Sequence, residues 1–316
     1  MKQLITGIHH ITAIAGDPQA NVDIYTGLLG MRLVKKTVNF DAPEVYHFYY
    51  GDENGAPGSI LTFFPYGELV HGRAGKGMIT TIAFSVPSAA KQYWKERLVK
   101  YDVAYTNAEK RFGDDVVSFE DHDGLKLELI FNDKDPRPGF SYGHIPVEFS
   151  LRGFYGATIE SNDEENTISL LAEFMDHRLI GKEINRKRYA ATDAPGNYID
   201  LVSKANAPKG LPGNGTVHHI AFSTPSAESQ VEIRMKIARA MLNPTGVLDR
   251  NYFTSVYFRE PGGVLFEIAT SGPGFAIDEE PGKLGEDLKL PSQFEKYRDS
   301  ISRSLRPINL SYGKYP

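Results

Sequence analysis

Cysteine is absent from all 316 residues. That excludes disulfides, thiolate metal sites and a cysteine nucleophile, and it fits a reducing interior, so the expected compartment is the cytoplasm. Long apolar runs are absent as well. No stretch approaches the ~20 apolar residues of a membrane span, and the opening residues lack a basic region, an apolar core and a small-residue cleavage site. Neither sign of charge dominates: 35 Lys and Arg stand against 40 Asp and Glu, a net charge of −5. The charges are interspersed, which leaves no stripe for nucleic acid and no patch for an anionic membrane. A small molecule is the expected partner. The length exceeds the usual single-domain range, so two domains are expected, each able to bury a core without staples.

What the chain does have is self-similarity. GMITTIAFSVPSA from Gly77 nearly repeats as GTVHHIAFSTPSA from Gly215, and SFEDHDGLKLELI from Ser118 answers YFREPGGVLFEIA from Tyr257. Between the two matches the register drifts by one residue. Looser copies begin as GIHHITAIAGDPQA at Gly7, closing near SILTFFP, and as FSLRGFYGATI at Phe149, closing at APGNYIDLVS. One supersecondary unit is therefore used four times, at about 5–66, 77–132, 149–204 and 214–271. The expected division is a first module pair over 1–140, a second over 145–271, and a tail over 272–316 with a helix from Pro291 to about Leu305. The tail is expected to pack on a barrel or on a second copy of the chain; a homo-oligomer is thus one expected assembly.

Periodicity orders each unit. In the first, Ile8 to Ile14 reads as a strand, and Asp17-Pro18 opens a helix as N-cap and first-turn proline. Val22, Tyr25, Leu28 and Leu29 form its apolar face and Gly30 ends it. Three strands follow, over 32–39, 45–51 and 59–65. In the fourth unit Pro225-Ser226 starts a helix with Val231, Ile233, Ile237 and Leu242 as its stripe, and strands run through 246–248, 253–259 and 264–270. The order is βαβββ, an α+β fold. Each unit leaves one face of a curved sheet uncovered, so units should pair into two half-open barrels with helices outside.

Only nine histidines occur, and four form doublets at equivalent places in two units, His9-His10 and His218-His219. A lone strand histidine is usually an ordinary core or surface residue; repetition at one position is what singles these out. Successive side chains on a strand point to opposite faces. His218 shares a bulky face with Ile220 and Phe222 and should pack under the helix, whereas His219 points to the cleft with Ala221 and Ser223. The same parity puts His10 and Thr12 in the cleft and His9 beneath. On the closing strand Glu267 faces the cleft. The expected metal ligands are His10, His219 and Glu267. Thr62 holds the matching position of the first unit, so no fourth protein ligand is expected. Glu128 and Asp200 match it in the other two units without nearby histidines and read as structural or solvated. The remaining histidines, His47, His71, His122, His144 and His177, recur nowhere and carry no expected chemistry. Two imidazoles, one carboxylate and open positions suit Fe(II), with Mn(II) as the alternative; closed structural zinc would want a fourth ligand.

These residues resemble the vicinal oxygen chelate (glyoxalase/bleomycin resistance/dioxygenase) superfamily, and within it the hydroquinone-type extradiol ring-cleaving dioxygenases. GIHHIT, TVHHIAF and DRNYFTSVYFREPGGVLFEI carry the resemblance, which spans essentially the whole chain. It implies Fe(II) on His10, His219 and Glu267, with His9, Thr12, His218, Arg250 and Tyr257 as the surrounding catalytic shell. It also implies an aromatic diol and dioxygen as substrates, in aromatic catabolism or quinone detoxification. A chain without thiols also suits a protein that meets electrophilic quinones. Two rival readings stand beside this one. A glyoxalase-like isomerase would want a second glutamate, which Thr62 denies. A non-catalytic aromatic- or antibiotic-binding protein would generally lack the ligand triad.

Overall fold

The computed structural model describes residues 2–204 and 206–316. Four βαβββ units follow one another. The first runs β1 (Gly7–Ala15), α1 (Pro18–Val22) continued by a wider turn through Leu28, β2 (Arg32–Val38), β3 (Tyr46–Gly51) and β4 (Ile60–Pro65). The second has β5 (Met78–Val86), α2 (Lys91–Lys100), β6 (Tyr105–Arg111), β7 (Asp114–Glu120) and β8 (Lys126–Phe131). The third has β9 (Phe154–Glu160), α3 (Glu164–Ser169), β10 (Arg178–Glu183), β11 (Arg186–Ala190) and β12 (Tyr198–Val202). The fourth has β13 (Thr216–Thr224), α4 (Ala227–Arg239), β14 (Leu248–Asp249), β15 (Phe253–Arg259) and β16 (Leu265–Pro273).

Local chemistry explains the helix ends. Asp17 caps α1, its carboxylate accepting from the Ala20 N–H at 2.8 Å, and Gly30 leaves the helix with φ of +68°, a conformation glycine adopts without strain. Val22, Tyr25, Leu28 and Leu29 are all buried. Ser226 caps α4, and Ile233 and Ile237 form its buried face. Val231 departs from the expected stripe and is exposed, because two residues of offset carries it away from the Ile233–Ile237 face.

Two eight-stranded mixed sheets result, in the orders β14-β15-β16-β13-β1-β4-β3-β2 and β10-β11-β12-β9-β5-β8-β7-β6. Each curls around a cleft, and helices cover the outer side. The expected pairing of consecutive units, over 1–140 and 145–271, needs correction: β1 pairs antiparallel with β13, and β5 with β9. The first unit therefore shares a sheet with the fourth, and the second with the third. A repeat shows which units are alike; it does not show which strand edges meet. One apolar core runs beneath both sheets, with Trp94, Phe84, Phe154, Phe222 and Phe266 fully buried in it.

The tail packs back on the first unit. Phe275 sits against Tyr49 and Tyr252, and the fully buried Lys35 ammonium holds Asp278 at 2.5 Å together with Glu279. The expected helix from Pro291 is a 3-10 turn over Ser292–Tyr297, followed by α5 (Arg298–Ser304). Ile301 is buried there, but Tyr297 is exposed. No helix of the described residues is long and apolar enough to cross a membrane.

Candidate metal centre

Three strands bring the expected ligands together. β1 carries His10 and β13 carries His219, while β16, parallel to β13, sets Glu267 opposite Ala221, two residues from His219 on the same face. The ligand atoms of His10, His219 and Glu267 all lie within 4.8 Å of one another, and all three residues are buried. His10 Nε2 and His219 Nε2 are 3.2 Å apart and stand 3.2 and 2.9 Å from Glu267 Oε2. Oε1 of Glu267 accepts from the Ser255 hydroxyl, whereas Oε2 is buried without a hydrogen-bond partner. An orphaned carboxylate oxygen in a dry site is costly unless a cation meets it. Burial pushes the Glu267 carboxyl up, but His10 and His219 beside it more than offset this and hold it well below the usual range. A divalent ion with N and O ligands fits these residues.

His10 and His219 are each held from behind by their doublet partner. The Nδ1 atoms of His9 and His10 are 2.9 Å apart, and those of His218 and His219 are 2.8 Å apart. His9 is buried, edge-on to Phe253, and also hydrogen-bonds the Thr270 backbone. Burial, helped by the neighbouring ligand histidine, depresses His9 to about 3 and His218 to about 4, so both are neutral at pH 7. His218 departs from the parity expectation: it is exposed at the cavity rim, not packed beneath α4. The reason is that its ring turns toward His219 to meet Nδ1, and β1 and β13 lose regular register between Thr12 and Ala13, next to where Thr12 faces His219.

A hydrogen-bonded chain leads away from the ligands. Thr12 Oγ1 lies 2.9 Å from His219 Nε2 and 2.8 Å from Thr62 Oγ1, which in turn is 2.9 Å from His47 Nε2. Thr62, at the first unit's equivalent of Glu267, thus offers hydroxyl chemistry and no carboxylate. Beside the ligands opens a cavity of about 270 Å³, with His47, Tyr49, Phe64, Phe253, Arg250 and Tyr257 on its walls. The Arg250 guanidinium lies 5.2 Å from the Tyr257 ring centre and 5.3 Å from that of Phe40. Burial and then Glu267 raise the Tyr257 hydroxyl well above its ordinary value, so it stays protonated and able to donate. His47, Ser255 and Phe253 are site residues that the sequence reading missed. Period-two alternation on β3 was the available signal for His47, because Tyr49, two residues on, faces Thr62 across the ladder.

A family profile described as the Glyoxalase/Bleomycin resistance protein/Dioxygenase superfamily matches residues 7–129 and 162–268. The chain belongs to this superfamily. Among curated relatives within reach is "Putative ring-cleaving dioxygenase MhqO" of Bacillus subtilis (strain 168), 43% identical over 98% of this chain and 99% of its own. A "Chlorohydroquinone/hydroquinone 1,2-dioxygenase" of Sphingobium indicum is 35% identical over 96% and 97%. A crystal structure of a "putative dioxygenase" from Bacillus subtilis superposes with a TM-score of 0.94 at 44% identity, covering 98% of this chain and 99% of that one.

The superfamily unit is duplicated in this chain, but the second cleft carries a different chemistry. Glu128 is paired with Arg111, and Asp200 with Arg188 at 2.7 Å and Arg186 at 2.9 Å. Guanidinium groups there meet the carboxylates that would otherwise face a cation. Of the other histidines, His71, His122, His144 and His177 do not line the metal cavity.

Proposed function

We propose that the chain is an Fe(II)-dependent extradiol ring-cleaving dioxygenase acting on hydroquinone or a related aromatic diol, with Mn(II) as the alternative metal. The observation that carries this reading is the unpartnered Glu267 Oε2 beside His10 and His219 Nε2, at the wall of an aromatic-lined cavity. The two dioxygenase-named relatives, one named for hydroquinone, support it. When bound, the metal supplies positive charge that ionises a phenol near neutral pH and a route for electrons to dioxygen.

The chain's own residues bind, orient and shield. His10, His219 and Glu267 hold the ion, and His9 and His218 fix the two imidazole rings through Nδ1. Tyr257, protonated, donates to a substrate oxygen, and the Arg250 guanidinium beside it favours a charged ring oxygen. The Thr12–Thr62–His47 chain holds hydroxyl and ring nitrogens in line for proton movement. Phe253 and Phe64 keep water from the ring faces. The reaction breaks the ring carbon–carbon bond beside the hydroxyl-bearing carbon and places both oxygen atoms in the product. It serves aromatic breakdown or quinone detoxification. An isomerase of the glyoxalase type is disfavoured by Thr62, which is committed to Thr12 and His47.

The test is anaerobic reconstitution with Fe(II), then hydroquinone, methylhydroquinone or catechol with dioxygen uptake followed by electrode. The expected result is about one equivalent of dioxygen per substrate, without peroxide, lost in His10→Ala. Tight metal binding with no uptake on any of these substrates would overturn the reading.

A further inference from the structure

The cavity has polar groups away from the ligands as well. Thr62, Phe64 and Tyr66 alternate along the end of β4 and beyond it, so one face of this strand leads outward from the Thr12–His219 contact. At about 3.3 Å per residue, Tyr66 lies roughly 13 Å along the chain from Thr62. Ring contacts trace the same path: His47 to Phe64 at 4.3 Å, then Phe64 to Tyr66 at 6.4 Å. Burial falls along it, with Thr62 buried, Phe64 half-buried and Tyr66 exposed.

The loop between β2 and β3 meets Tyr66 there. Asn39 organises this loop: its N–H donates to the Val45 carbonyl at 2.8 Å, and its side-chain oxygen accepts from the Asp41 N–H at 3.0 Å. Its amide nitrogen donates to the Tyr66 hydroxyl at 3.0 Å. The Tyr66 oxygen is thereby held in place as an acceptor, while its own proton reaches no acceptor among the described residues. Asp41 also lines the cavity, and its carboxylate makes no hydrogen bond or ion pair among the described residues. One fixed donor and one free acceptor thus sit at the rim, and Phe40, Phe64 and Phe253 line the cavity with them.

We infer that Tyr66 and Asp41 form a distal subsite that recognises a hydroxyl on the far side of the ring from the metal. The Tyr66 O–H donates to that hydroxyl oxygen, and the Asp41 carboxylate accepts its proton. A ring with oxygens at positions 1 and 4 satisfies both ends of the cavity; a 1,2-diol or a monophenol leaves the outer end unmet. This inference rests on the ring-cleavage reading above and specifies its substrate class. Because the subsite is at the rim, water competes for its hydrogen bonds and its effect is moderate rather than absolute.

The experiment is calorimetric titration of the Fe(II)-loaded protein without dioxygen, using hydroquinone, catechol and phenol, for the wild type and for a Tyr66→Phe/Asp41→Asn double variant. The wild type is expected to bind hydroquinone at least roughly tenfold more tightly than phenol, the worth of one good hydrogen bond. The double variant is expected to lose that preference with its phenol affinity and metal stoichiometry unchanged. Equal wild-type binding of hydroquinone and phenol, a preference retained in the variant, or equal loss of both ligands would each overturn the inference. Dioxygen uptake judges the ring-cleavage reading separately: uptake with no binding preference sinks only the subsite, and a preference with no uptake on any diol sinks only the cleavage reading.

Discussion

His9 Nδ1 stands 2.9 Å from His10 Nδ1, and the same relation recurs between His218 and His219 at 2.8 Å. A neutral imidazole that binds a metal through Nε2 carries its proton on Nδ1, so His9 must present a lone pair there and keep its own proton on Nε2, toward Thr270. On the proposed reading, each doublet is a metal ligand and its orienting partner in consecutive residues. His9→Ala should weaken metal affinity by about 10–100-fold while keeping a stoichiometry of one, and His218→Ala, at the exposed rim, should fall at the low end of that range. His10→Ala should abolish stoichiometric binding. Chelator competition measures all three.

Tyr257 and Arg250 touch the cavity without entering the ligand set. Tyr257→Phe should leave metal affinity unchanged and lower kcat by about 100–1000-fold, since a positioned hydrogen-bond donor to developing charge is worth that much. Arg250→Ala should raise KM as well, because its charge attracts an ionised ring before reaction. Steady-state dioxygen uptake separates the two patterns.

His177 lies away from the metal, buried against Phe222, with Nδ1 2.6 Å from the Met175 carbonyl and Nε2 unpartnered. Burial depresses it from 6.5 to about 4, with the Met175 contact opposing. In the unfolded chain it takes up a proton near pH 6.5 and in the folded protein only near pH 4. The unfolded state therefore binds more protons across this window, and stability, whole above pH 6.5, falls as pH drops through it by about 1.4 kcal/mol per unit. Urea midpoints at pH 7 and pH 5 should differ less in His177→Phe than in the wild type.

Lys35 is fully buried on β2, and its partners Asp278 and Glu279 both come from the tail. Lys35→Ala strands the nearly buried Glu279 carboxylate without its cation and should cost on the order of 3–5 kcal/mol. Limited proteolysis should then cut first between Asp278 and Asp287, where the tail is anchored.

Most of the unit order was legible because hydrophobic periodicity and caps act locally. Asp17, Gly30 and Ser226 hold their expected places. The cluster of His10, His219 and Glu267 was legible because repetition marked its positions. What failed was non-local. The repeated doublets already required the first and fourth units to share a site, but the division into 1–140 and 145–271 followed sequence order instead, and strand parity cannot anticipate a ring that turns toward its neighbour, as His218 does. His47 went unnoticed for want of a repeated partner, although its strand already pointed it inward.

The pairing of β1 with β13 has a consequence for how the protein is made. His10 and His219 are separated by 209 residues, and Glu267 comes later still. A growing chain that has exposed His10 holds one ligand only; the site is completed after the fourth unit has emerged and β13 has found β1. Since synthesis proceeds at about 5–20 residues per second, each nascent chain spends on the order of ten seconds or more with the three residues unassembled. On the proposed reading, metal loading would be deferred to the finished chain, and a product truncated before β16 would lack Glu267.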